Sequence, residues 1–208
     1  MLSGRTAIVT GAGQGVGQGI ALALARHGAQ VTLMGRTFEK VEATCKLIEE
    51  RGGTALAVGG DVKQAGDLRA CLDATLERFG GLQILVNNAQ EVPLGSLFDV
   101  SDEMLEAGWN SGPLATFRMM KLCHPHLQGD GSIVNLASTA ARRWDAANYG
   151  SYAAVKEAIR ALSRAAASEW GAVNIRTNVL LPTRSPPGSH AGSRRTPRSR
   201  RPSSPPSQ

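Results

Sequence analysis

Tyr152 and Lys156 stand four residues apart in "YGSYAAVKEAI" (149–159). On a helix, positions i and i+4 share one face. A lysine ammonium beside a phenol favours the tyrosinate and lowers a pKa that is about 10 when unperturbed. Such a tyrosine can give a proton to a carbonyl oxygen as hydride arrives, or remove one in the reverse direction. Tyr149 has Ala153 at its i+4 position, so only Tyr152 qualifies. Chance supplies this spacing in many proteins, and its weight comes from the company it keeps. Ser138 follows the apolar run "SIVNL" (132–136), just past the C-terminal end of a strand, where open α/β sheets bind ligands. The loop from Ser138 to Tyr152 is long enough to fold both hydroxyls over one pocket; the plainer alternative is a serine that caps the next segment. Asn110, in "WNSGP", lies on the helix after the fourth strand.

A second group of residues suits phosphate. "TGAGQGVGQGI" (10–20) leaves the first strand and opens a helix, with Gly11, Gly15 and Gly17 spaced G-x-x-x-G-x-G after Thr10. Glycines permit a tight turn and close approach of backbone to a pyrophosphate, and the helix N-terminus offers unpaired N–H groups. Val16 occupies the third glycine position of the commoner G-x-G-x-x-G spacing. At the end of the second strand, "MGRT" has Gly35 where a carboxylate would hold the ribose 2′-hydroxyl of NAD. Arg36 follows, a suitable partner for a 2′-phosphate, so NADP is the expected cofactor and NAD the alternative.

Together these residues resemble the short-chain dehydrogenase/reductase family. The resemblance rests on "TGAGQGVG", Asp61-Val62 after the third strand, "NNA" at 87–89, Asn110, Ser138 and "YAAVK", in order from about Arg5 to Pro182. It implies that Tyr152 is the acid/base, that Ser138 holds the substrate oxygen, and that Lys156 binds the nicotinamide ribose and tunes Tyr152. Asn110 would support a proton relay through water. The loop residues Thr10, Gly11, Gly15, Val16 and Gly17 would border the phosphates, Asp61 and Val62 the adenine, and Asn88 and Ala89 a ribose. The family also pairs subunits through the helices carrying Asn110 and Tyr152, which makes a homodimer the expected assembly. Gln90 departs from the family's glycine after "NNA", and Pro182-Thr183 from its Pro-Gly. The family's substrate-covering loop, a further helix and a seventh strand are not found after that point.

The elements that must position these residues alternate. "TAIVT" (6–10), "VTLMG" (31–35), "TALAV" (54–58), "ILVNN" (84–88), "SIVNL" (132–136) and "IRTNVLL" (175–181) read as strands with little polar alternation, covered on both faces. Helices are expected near 15–27, 38–51, 65–79, 102–127 and 152–170. This alternation predicts a Rossmann-type α/β fold: a doubly wound parallel sheet with helices on both faces and six of the family's usual seven strands. Residues 1–182 form the expected dinucleotide-binding domain.

Residues 183–208 differ. Six of the 23 basic residues lie there, all arginines, with six prolines, seven serines and no acidic residue. The remaining 17 basic residues balance 17 acidic ones, so the net charge of +6 belongs to this tail. Its composition predicts disorder and is consistent with truncation or a shifted reading frame. Specific nucleic-acid recognition is not expected without aromatic interleaving, although a polyanion-binding tail is a rival reading. No apolar run reaches membrane-spanning length, and three widely spaced cysteines suit free thiols, so a cytoplasmic protein is expected. "CHPH" (123–126) could suggest a metal; Pro125 is expected to disrupt the helix there, and no second ligand cluster exists, so no metal is expected. Trp109, Trp144 and Trp170 read as packing residues, with Trp144 the one placed to touch substrate. The leading function is an oxidoreductase passing hydride between NADP(H) and a carbonyl or alcohol; the alternative is a cofactor-binding domain without turnover.

Overall fold

A computed structural model describes residues 1–142 and 148–182; Trp144 and the tail from Thr183 lie outside the described residues. Six strands form one sheet: β1 (Thr6–Thr10), β2 (Gln30–Gly35), β3 (Thr54–Gly59), β4 (Ile84–Asn87), β5 (Gly131–Leu136) and β6 (Ile175–Leu180). Their order is β3-β2-β1-β4-β5-β6, and every neighbouring pair is parallel. The chain winds outward from β1 to β3, then crosses back to β4 and winds the other way. The crevice above the C-terminal ends of β1 and β4 is therefore the topological switch point.

Helices cover both faces, as the apolar runs require. On one side lie α1 (Gly15–Arg26) and α2 (Phe38–Glu49), enclosing Val9, Val31, Leu33 and Ile48. On the other, α3 (Ala65–Phe79) and α5 (Ala115–Leu127) enclose Ile8, Met34, Leu72, Leu85, Met119 and Ile133, and α6 (Gly150–Trp170) adds Ala166. All five residues of β1 are buried, so its run of Thr-Ala-Ile-Val-Thr carries no polar alternation.

Three expectations need correction. The helix expected over 102–127 is interrupted: α4 (Asp102–Trp109) passes through a π-helical turn, Asn110–Leu114, into α5. Pro113 lies inside that turn; it has no N–H to give Trp109, and its ring would crowd that carbonyl in an α-helix, so the wider turn accommodates it. Pro125 does not disrupt α5, which continues two residues past it; only the last turn contains the proline, where few backbone bonds remain to lose. β6 is not covered on both faces. Its burial alternates, with Ile175 buried and Arg176, Asn178 and Leu180 exposed.

Trp109 is also exposed rather than packed, whereas the Trp170 ring meets His124 with centroids 4.8 Å apart. Cys45, Cys71 and Cys123 are free and buried. Among the described residues there is no cluster that could hold a metal ion, and no helix long and apolar enough to cross a membrane.

Candidate active site and cofactor cleft

The turn between β1 and α1 has a shape that glycine alone allows. Gly11 and Gly15 hold positive φ angles of +67° and +59°. Gly17 sits so close to the chain that a Cβ there would overlap the Gly11 carbonyl and the Asn88 amide. The first turn of α1 carries no acidic residue, and Gln14 before it makes no side-chain cap, leaving its N–H groups free for an anion. Thr10, buried beneath the turn, accepts the backbone N–H groups of Asn88 and Ala89 on its Oγ1, at 3.0 and 3.1 Å. The Asn88 amide donates back to the Thr10 and Gly11 carbonyls at 2.9 and 3.2 Å. Asn88 thus braces the loop and spends its donors on backbone.

A cleft of about 330 Å³ opens above this turn, at the switch point. Gly11, Gly15, Arg36, Asp61, Val62, Asn88 and Ala89 all line it, so seven residues expected around a dinucleotide from four separate stretches of sequence share one wall. Thr10 lies under the cleft and Val16 is exposed beside it. Asp61 is shaped by its neighbours: its N–H donates to Asp67 Oδ2 at 2.8 Å, and its Oδ1 accepts the Lys63 N–H at 2.9 Å. Arg36 is paired already, with Nη1 2.6 Å from Glu91 Oε1 across the cleft.

Ser138, Tyr152 and Lys156 gather at the C-terminal end of β5. The Lys156 ammonium is buried and donates to the Leu136 carbonyl at 2.6 Å. It lies 5.7 Å from the centre of the Tyr152 ring. Burial pushes its pKa down to about 8, so the amine is mostly protonated at neutral pH and loses its charge just above. The expected lowering of the Tyr152 pKa is not found. Burial raises it, its hydrogen bond with Ser138 opposes that rise, and the nearby Tyr149 adds to it. The lysine charge is turned to the Leu136 carbonyl, so desolvation of the phenol wins. Asn110 opens the π-helical turn that packs against α6, the helix carrying Tyr152 and Lys156. Its neighbour Ser111 lines the cofactor cleft, so the two groups of residues adjoin.

The profile of the short chain dehydrogenase family matches residues 5–189. This chain belongs to that family. Among curated relatives, it is 36% identical over 191 residues to a 12alpha-hydroxysteroid dehydrogenase of Clostridium sp. (strain ATCC 29733 / VPI C48-50), covering 88% of this chain and 73% of the relative. It is 34% identical over 183 residues to an oxidoreductase of Bacillus subtilis, covering 87% of this chain and 63% of that one. Among solved structures, a short chain dehydrogenase from Burkholderia cenocepacia J2315 in complex with NADP superposes with a TM-score of 0.83 at 34% identity, covering 87% of this chain and 74% of its own. The chain thus spans roughly two thirds to three quarters of the length of these dehydrogenases.

Two features of this short chain dehydrogenase escaped the sequence. Gln90, in place of glycine, folds its side chain under Gly112: Nε2 donates to the Gly108 carbonyl at 3.2 Å, and the buried Oε1 finds no partner among the described residues. A Cβ on Gly112 would collide with that amide, so glycine on the π-helical turn and glutamine on the loop accommodate each other. Glu91 is the second. A charged residue directly after "NNAQ" was the available signal, but nothing local says that it reaches the ends of β2 and β3.

Proposed function

We propose that this chain is an NADP(H)-binding oxidoreductase that interconverts a carbonyl and an alcohol. One observation carries the reading: the glycine turn, Arg36, Asp61-Val62 and Asn88-Ala89 line one cleft, which adjoins the end of β5 where Ser138, Tyr152 and Lys156 gather. The residues fit the cofactor: glycines leave room for a pyrophosphate, α1 offers free N–H groups, and Arg36 offers a cation to a 2′-phosphate.

When bound, the dinucleotide supplies or accepts the hydride. In carbonyl reduction, Tyr152 Oη gives its proton to the substrate oxygen, and Ser138 Oγ holds that oxygen by a hydrogen bond. The protonated phenol is the form that reduction needs, and burial raises its pKa further. Lys156, anchored by the Leu136 carbonyl, places a positive charge beneath the site. Asn110 supports the relay that returns a proton to Tyr152. The homodimer this reading expects would pair through the helices around Asn110 and Tyr152, on whose surface Phe117 is exposed.

Tyr152→Phe should lower NADPH-dependent carbonyl reduction by about 10²–10⁴-fold while the dissociation constant for NADPH stays within about twofold. Retained activity in this variant would sink the assignment. A second reading, cofactor binding without turnover, draws on the exposed residues of β6, which leave the end of the sheet beside Ser138 thinly covered among the described residues. NADPH binding without NADPH oxidation across a panel of aldehydes and ketones would favour it.

A further inference from the structure

At the mouth of the cleft, two cations converge on a single oxygen. Glu91 Oε1 lies 2.6 Å from Arg36 Nη1 and 2.8 Å from Lys63 Nζ. These residues follow β2, β3 and β4, and β1 with its glycine turn lies between β2 and β4 in the sheet. The Glu91 side chain therefore reaches across the end of β1 to close a bridge over the cleft. The Lys63 backbone is held on both sides: its N–H donates to Asp61 Oδ1 at 2.9 Å and its carbonyl accepts from Arg118 Nη1 at 3.0 Å. With Asp61 Oδ2 3.7 Å from Lys63 Nζ, two positive and two negative side chains form this group, and their charges cancel.

Two cationic donors aimed at one carboxylate oxygen have the makings of a site for a doubly charged anion, occupied by the chain's own acid. We propose that Arg36 and Lys63 together form the site for the 2′-phosphate of the dinucleotide, and that Glu91 is its internal counter-ion and a determinant of cofactor specificity. The proposal rests on the cofactor reading above. A 2′-phosphate gains both cations only by displacing Glu91, so the carboxylate lowers the affinity for NADP(H). An unphosphorylated ribose meets no such competition. Without Glu91, NADP(H) and NAD(H) differ more widely in affinity; with it, the preference conferred by Arg36 is tempered.

Titration of the full chain with NADPH and with NADH, followed by nicotinamide fluorescence, tests this. Glu91→Gln should tighten NADPH by about tenfold, one charge pair's worth of about 1.4 kcal/mol, and leave NADH within about twofold. Lys63→Gln should weaken NADPH by a similar factor and again spare NADH. Adenosine 2′,5′-bisphosphate against ADP, read by thermal shift, repeats the comparison without the nicotinamide and on any variant that still unfolds cooperatively. Equal changes for both cofactors, or none, would overturn the anion site while leaving the cofactor reading intact. A wild-type chain that binds neither cofactor would overturn the cofactor reading and the proposal with it.

Discussion

The two halves of the sheet carry different duties and are protected differently. β1 and β2 are buried along almost their whole length, with helices on both faces, and their C-terminal ends hold the glycine turn and Arg36. β5 and β6 are covered by α5 and α6 on one side, but Arg176, Asn178 and Leu180 on the other side of β6 are exposed. Ser138, Tyr152 and Lys156 stand over this second half. A pyrophosphate cradle made of backbone tolerates little movement, since its donors cannot rotate to follow the ligand, and a doubly covered sheet supplies that rigidity. Side-chain hydroxyls and an amine have rotatable bonds, and they occupy the half with less support. Under the proposed function, cofactor binding draws on the stiff half, and proton transfer on the less covered one.

Several changes would break or sharpen this contrast. The Tyr152→Phe variant described above has the largest expected effect, and it should fall on turnover alone. Leu33→Ala, at a fully buried position between β2 and its helices, should cost about 2–5 kcal/mol in chemical denaturation and weaken NADPH binding with it. Lys156→Met probes the second half through pH. The folded lysine titrates near 8 instead of 10.5, so between these values the unfolded chain binds more protons and stability rises with pH. The rise is bounded at about 3 kcal/mol. Because Tyr152 and the buried cysteines, with raised pKa values, push the opposite way at high pH, the quantity to measure is the difference between the wild-type and Lys156→Met stability curves. A flat difference would mean that the amine is better solvated than its burial implies. Smallest of all, Leu180→Ser at the exposed end of β6 should change stability by less than about 0.5 kcal/mol. A loss as large as that at Leu33 would erase the contrast between the halves.

Much of this architecture could be read before any coordinates. The strand runs around Ile8, Leu33 and Leu85 are continuous apolar stretches because both faces are buried, and that pattern is local. The glycine turn was equally legible, since Gly11, Gly15 and Gly17 are each needed for a backbone reason that shows in residue type. β6 is the exception: Arg176 and Asn178 in "IRTNVLL" stand at alternate positions, a half-covered pattern that the apolar residues at its end obscure. Asn110 was placed on the correct helix, but the π-helical turn depends on how Pro113 is accommodated between α4 and α5.

The sequence by itself determined the alternation of strands and helices, the shape of the phosphate turn, and the Tyr152–Lys156 spacing on one helix face. Each follows from periodicity or backbone freedom over a few residues. Tertiary structure alone decided that the Lys156 amine answers to the Leu136 carbonyl, that burial lifts the Tyr152 phenol, and that Glu91 meets both Arg36 and Lys63. Those outcomes depend on strand order and desolvation, which bring together groups 20 to 55 residues apart in the chain and have no local signature.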